Sequence, residues 1–407
     1  MLVEFKHGQA FQHIEKGQHL ERLGRMDEAM LEFKRAVEAD PSVATAHNAL
    51  GQHYERKGLL TKAADEFRSA AMLNGDYESY FNLGRSLSEL ERYDEAAEAF
   101  QRCLTIDSKD PTARYEAAFV QCAQGKFEQG LDGFQALVTE FPDDWELELA
   151  VANCFIGMGK PGEAERTLRQ ALANAPAGTD VTPVREALLM SLRSQEFLVG
   201  KTLAFKEHLY VEYGVVGLGS GGDDGLDVPV YQDHTFTYHD VAVTLSRLLA
   251  LVRDYGWPIS AVASVDSPSL PIAIACSQLL GVPVLAIEEL HADDLVLVVA
   301  ALAAQPELCE VTLEHMPAQH LSFAFAVPEP VDDGLITDFI GVSCSGKSVL
   351  PWQRLRKRSP REAATLLLRA LTIMPEEGNL PLQMAYYTEQ HRLLRFFDVS
   401  EELEKQE

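Results

Sequence analysis

Apolar and small residues recur along the first half of the chain with a long period laid over a short one. Gly17 and Gly51 stand 34 apart and Gly84 follows 33 later, while Ala29, Ala63 and Ala96 keep the same steps. Phe33, Phe67, Phe100, Phe134 and Leu168 extend that register, with Ala36, Ala70, Cys103, Leu137 and Ala171 three residues beyond each. Spacings of four and three place the alanine, the aromatic and the next small residue on one face of a helix. Pro41, Pro142 and Pro176 close three of the units. Glycine marks a turn between paired helices in "RLGRMDEA", "ERKGLLTKA", "AQGKFEQG" and "GMGKPGEA", and Glu91 takes its place in "ELERYDEA". A single hairpin of this kind cannot bury its own apolar stripe, so the units are predicted to stack into a superhelix with a continuous core. The pattern predicts five hairpins over residues 1–178. A capping helix and linker follow over 179–200, where Thr182 and Pro183 supply a helix start.

Beyond residue 200 the period shortens. The runs "YVEYGVVGLG", "ISAVASV", "VPVLAIEEL", "LSFAFAV" and "DFIGVSC" read as strands, with a helical segment at 240–255 among them. Residues 257–290 read as one βαβ unit: a strand ending at Asp266, a Ser/Pro turn, a helix from about 269 to 280, then Gly281 and a strand at 283. Such a unit implies parallel pairing, which gives an α/β domain with a mainly parallel sheet over 201–352. From Ser359 the pattern turns helical again, Ala363, Leu367, Ala370 and Pro375 repeating the offsets of the N-terminal second helices. Residues 353–407 are thus expected to hold C-terminal helices and a tail frayed from Glu401 to Glu407. The fold class is multidomain: an all-α superhelix, an α/β domain and a C-terminal helical segment.

Over residues 10–178 the register and residue types resemble the tetratricopeptide repeat family, with "HNALGQHYERKGLLTKAADEFRSA" nearest its pattern. Unit four departs from it, with Gly130 where alanine is usual and Ala118 in place of glycine, which suggests looser packing there. The resemblance implies a concave groove lined by the first helix of each hairpin and used to hold peptides or protein partners. By register that groove includes Asn48, Gln52, Phe81, Arg85, Tyr115, Phe119 and Asn153. The lysine and asparagine pattern with which some members clamp a terminal carboxylate is not reproduced, since the fifth positions read Ile14, Asn48, Phe81, Tyr115 and Leu149. Residues 240–350 are similar in arrangement to the type I phosphoribosyltransferase fold, chiefly through "LPIAIACSQLLGVPVL". That family's strand ending in two acids, followed by a threonine and glycine loop, is missing: Asp293 and Asp294 precede the apolar run LVLVVAALAA instead. The α/β domain is therefore expected to be a degenerate relative.

Composition narrows the function classes. A formal charge of −27 repels nucleic acid and anionic membrane surfaces at long range. The local basic patch Arg354, Arg356, Lys357, Arg358 and Arg361 reads as a solvated loop meeting a helix. The opening residues lack the apolar core of a secretory signal, and the longest apolar run, Leu295 to Ala304, is about half of a bilayer span. Cysteines 103, 122, 154, 276, 309 and 344 sit in apolar surroundings without close ligand spacing, as in a reducing compartment, so a cytoplasmic protein is expected.

Several strings imitate chemistry. Gly341, Gly346, Lys347 and Ser348 have P-loop spacing, but Pro351 is a poor continuation for the helix such a loop needs. Gly217, Gly219 and Gly222 match a dinucleotide fingerprint, yet Asp223, Asp224 and Asp227 follow where phosphate would lie. His13 and His47, and His19 and His53, recur by unit duplication, with no further metal ligand recurring beside them. Glu288, Glu289, His291, Asp293 and Asp294 read as an acidic surface loop. Asp266, Ser267 and Ser269 lie at a strand's carboxyl edge, where open α/β sheets bind ligands, although a turn and helix cap would use the same residues. No catalytic constellation, metal site or cofactor is expected, and a non-catalytic chain is favoured over an enzyme. The reading is a cytoplasmic adaptor that holds a protein or peptide in its groove, with self-association as a further mode. The alternative is a small-ligand sensor or enzyme that binds a nucleotide or sugar phosphate near Asp266.

Overall fold

The computed structural model describes residues 2–197, 202–221, 230–302, 311–313, 315–328, 337–353 and 358–373, together with residues 381 and 384. The chain divides into two compact units, Met1–Leu188 and Leu189–Glu407. Expected features on Gly222, Asp223, Asp224, Asp227, Cys309, Arg354, Arg356, Lys357, Pro375 and the 401–407 tail lie outside the described residues.

The first unit contains five hairpins: α1 (Leu2–Arg22) with α2 (Met26–Ala39), α3 (Ala44–Arg56) with α4 (Leu60–Asn74), α5 (Tyr77–Glu89) with α6 (Tyr93–Ile106), α7 (Pro111–Ala123) with α8 (Phe127–Glu140), and α9 (Trp145–Gly157) with α10 (Pro161–Asn174). Local chemistry fixes their starts. Asp76, Asp110 and Asp144 cap α5, α7 and α9, each accepting a backbone N–H of the first turn at 2.6–3.3 Å. Within each hairpin the turn needs one left-handed residue, supplied by Gly24, Gly58, Gly125 and Gly159 at φ +66 to +74° and by Glu91 at φ +58°.

The recurring glycines have a steric cause. A Cβ on Gly17, Gly51 or Gly84 would come within 2.6–2.8 Å of the ring of Phe33, Phe67 or Phe100. Those rings are buried to 1% exposure or less, so each hairpin closes ring on backbone. Unit four, where looser packing is expected, keeps a close approach of its two helices at a shifted position. Ala118, Phe134 and Leu137 are all buried, and the small residue has moved to the second helix. A Cβ on Gly133 would meet the Ala118 methyl at 2.9 Å, and one on Gly130 the Cys122 sulfur at 2.2 Å. A helix α11 (Thr182–Ser194) follows the hairpins.

The second unit is a sheet with helices on it. After α12 (Phe205–Tyr213) come β1 (Val216–Gly217), β2 (Val230–Gln232), α13 (Tyr238–Asp254), β3 (Ala261–Ser264), α14 (Leu270–Leu280), β4 (Leu295–Leu302), β5 (Gln319–Pro328), β6 (Phe339–Ser345) and α15 (Pro360–Ile373). The strand order is β1-β6-β5-β4-β3 with β2 also on β6, and every pairing is parallel. One face packs on α13, α14 and α15 through residues such as Leu297, Phe323 and Val342. The other face packs Ala300, Ala324 and Ile340 against Leu209 of α12. Burial on both faces is why β4 reads as an unbroken apolar run, with only scattered polar residues in β5 and β6.

Three details differ from the sequence reading. "YVEYGVVGLG" opens with the end of α12, residues 210–213, and has only Val216 and Gly217 in a strand. "VPVLAIEEL" contributes a single bridge, Val284 to Val262, before a short 3₁₀ turn at Ile287–Glu289. The partner of β3 is β4, the run LVLVVAAL that follows Asp293 and Asp294. The C-terminal helix α15 packs on α13 and α14, burying Ala363, Ala364 and Leu367 in the sheet's core.

Candidate functional site

The seven residues assigned to the groove fall into two rows on the first helices of the hairpins. Gln52, Arg85, Phe119 and Asn153 each follow the close-approach position Gly51, Gly84, Ala118 or Ala152 by one residue. Gln52 is half-buried and the other three are exposed, Phe119 at 45%. Asn48, Phe81 and Tyr115 lie four residues earlier and turn into the stack. Asn48 is buried and donates to Ser79 Oγ at 2.9 Å. Phe81 stacks on Tyr77 with ring centroids 5.6 Å apart and meets Phe100 edge-on at 5.8 Å. Tyr115 meets Phe134 edge-on at 5.2 Å.

Charge on this wall is mixed but mainly acidic. Arg85 lies 3.7 Å from both Glu55 and Glu89. Burial raises the Glu116 carboxyl above its usual range, a shift that the Arg85 charge only partly opposes. Three of the four recurring histidines are hydrogen-bonded to carboxylates. His13 meets Glu32 and His47 meets Glu66 at 2.7 Å, each across one hairpin, while His53 meets Glu21 of the preceding hairpin at 2.6 Å. Sequence reasoning missed one pair of thiols: Cys122 on α7 and Cys154 on α9 approach to 3.1 Å between sulfurs. Their separation of 32 residues, close to one repeat, was the available signal.

A cavity of about 330 Å³ opens between α7, α8 and α9, walled by Pro111, Tyr115, Leu137, Phe141 and Leu147 with Asp144 at its edge. Of its residues only Tyr115 belongs to the groove set.

In the sheet unit, Asp266, Ser267 and Ser269 stand at the carboxyl end of β3 as expected, but two of them are engaged locally. Asp266 accepts the Ser269 amide at 2.9 Å and the Ser269 hydroxyl as well. The Ser269 Oγ in turn accepts the Ala301 amide of β4 at 2.8 Å. Ser267 is exposed. A second cavity, about 270 Å³, lies at the carboxyl ends of β4, β5 and β6, lined by Leu302, Ala326, Pro328, Cys344, Lys347 and Ser348. It includes the end of the P-loop string, and residues 346–353 form no helix. The Lys347 amide donates to Asp233 Oδ1 at 2.7 Å, so a carboxylate already holds an amide that a phosphate would need. Val349 then bridges to Thr235. The acidic loop is likewise used locally, Asp294 accepting the His291 amide and the Ser260 hydroxyl at 2.9 Å.

Three family profiles, each described as tetratricopeptide repeat, match residues 14–77, 77–110 and 112–144. Residues 14–144 are tetratricopeptide repeats. Among solved structures the chain is similar to YrrB, described as a TPR protein with an unusual peptide-binding site, at 22% identity over 44% of this chain and 91% of that one, TM-score 0.40. It is also similar to MamA from Desulfovibrio magneticus RS-1, at 15% identity over 41% and 94% of the two chains, TM-score 0.38. A third is TTC0263, a thermophilic TPR protein of Thermus thermophilus, at 20% identity over 44% and 99%, TM-score 0.34. No curated protein matches. Among the described residues, no helix is long and apolar enough to cross a membrane.

Proposed function

We propose that the chain is an adaptor whose tetratricopeptide repeats hold a protein or peptide partner on the wall formed by α3, α5, α7 and α9. The observation that carries this reading is the outer row, in which Arg85, Phe119 and Asn153 keep polar or aromatic side chains in solvent and Gln52 lies half-buried, at one equivalent position on each of four first helices. An exposed aromatic beside an arginine is the composition enriched at protein interfaces. Net charge favours a basic or neutral partner over nucleic acid. The sheet unit acts in this reading as a non-catalytic companion, because Asp266 and Ser269 spend their hydrogen bonds on a turn. Buried thiols suit a reducing, cytoplasmic setting.

The test is the full chain carrying Arg85→Glu and Phe119→Asp together. Both sites are exposed, but Arg85→Glu puts a further carboxylate beside Glu55 and Glu89, so some melting temperature is lost and circular dichroism must show the helices intact before capture is read. A partner captured by the wild type should be lost at least tenfold. Undiminished capture by the double variant would remove the reading.

A second reading rests on the cavity beside Lys347, which places one cation at the carboxyl edge of three parallel strands. There the unit would hold a small anion such as a nucleotide or sugar phosphate. Calorimetry of the intact chain against nucleotides and phosphoribosyl pyrophosphate, repeated with Lys347→Ala, decides it. Heat that vanishes in the variant supports it, and silence across the panel ends it.

A further inference from the structure

Adjacent repeats differ at the cavity between α7, α8 and α9, and the difference specifies an occupant. Two repeats share a template. Phe81 on α5 packs edge-on against Phe100, and Tyr115 on α7 packs edge-on against Phe134. Asp110 caps α7, and Asp144 caps α9. In the first of the two, Tyr77 fills the space between them: its ring stacks on Phe81 at 5.6 Å with 13° between planes, and its hydroxyl donates to Asp110 at 2.5 Å. The residue 34 positions on from Tyr77 is Pro111. A proline suits the first turn of a helix but has neither the ring to stack nor the hydroxyl to reach the next cap. What remains is the cavity of about 330 Å³, near the lower limit of ligand pockets (roughly 300 Å³) and so sized for a side chain.

The electrostatics of the opening agree. Asp144 accepts the Glu146 and Leu147 amides through Oδ1 at 3.1 and 3.3 Å, which leaves Oδ2 without a hydrogen bond among the described residues. Asp144 and Glu146 make the lining acidic, so it complements a donor with positive charge beside it. We propose that this pocket takes the phenol of a tyrosine from a protein partner, stacked on Tyr115 with its hydroxyl donating to Asp144, and with a basic residue next to it in the partner's sequence. The inference deepens the adaptor reading and rests on it, while using a different surface from the outer row.

The experiment titrates the intact chain with the tripeptide acetyl-Lys-Tyr-Lys-amide and its phenylalanine counterpart, followed by ligand-observed NMR. The tyrosine peptide should bind, and the phenylalanine peptide at least threefold more weakly. Pro111→Tyr, which copies Tyr77, should abolish binding by filling the pocket from within. Should that variant fail to fold, Asp144→Asn serves: it keeps the cap through its amide oxygen but replaces Oδ2 by a donor, and should reduce the tyrosine peptide to the affinity of the phenylalanine one. Equal binding of the two peptides, no binding of either, or binding unchanged in these variants would overturn the pocket assignment. Loss of the partner in the Arg85→Glu, Phe119→Asp chain would stand regardless, so the two ideas fail separately.

Discussion

Glu91 occupies a backbone conformation that glycine holds at the equivalent turn of the other four hairpins, at φ +58° against +66 to +74°. A side chain in the left-handed region crowds its own carbonyl at a cost of about 1–2 kcal/mol, partly offset because glycine gives the unfolded chain more freedom. Glu91→Gly should therefore stabilise the protein by roughly 0.5–1 kcal/mol and raise the melting temperature of the repeat unit by a few degrees, as calorimetry would read it. A lowered melting temperature would mean that Glu91 makes a compensating contact. The substitution was visible in the sequence as a break in the glycine register. Its conformation followed from the register because the turn, and not the residue, sets φ there.

At the scale of the elements, the helices were legible and the strands less so, for one physical reason. The first three hairpins set a glycine opposite a phenylalanine, and that steric pairing prints the same letters every 33 or 34 residues. A strand buried on both faces has no alternation to print. LVLVVAAL, the interior strand β4, therefore looked like any apolar run, while "YVEYGVV" looked like a strand and is mostly helix. Unit four shows the limit of reading one helix at a time, since Gly130 makes sense only beside Cys122 of its partner helix. The groove set was legible as register positions. Which of its members face solvent was not, because that depends on the neighbouring hairpin: Asn48 is taken up by Ser79 and Phe81 by Tyr77.

Hairpin pairing also carries a pH signature. The hydrogen bond to Glu66 raises the His47 pKa against the opposing effect of burial, so the folded state holds the proton more tightly than the unfolded chain does. For a raised histidine the stabilisation is complete below its unfolded value, about 6.5, and is lost as pH rises through the higher folded value. Between those limits the melting temperature of the wild type should fall with rising pH. His47→Gln should flatten that part of the profile, and an unchanged slope would show that α3 and α4 are not joined through this proton.

For the whole molecule, the proposed function places partner recognition on the repeat unit, with the outer row of the first helices as the surface that touches a partner. A photo-reactive amino acid placed at Phe119 tests this most directly, against the same group placed at Met72, which is 83% exposed on α4, a second helix. Irradiated in native extract with the full chain, position 119 should give a discrete crosslinked partner and position 72 should not. Adducts at 72 alone, or none at 119 while a partner still co-purifies, would contradict the account.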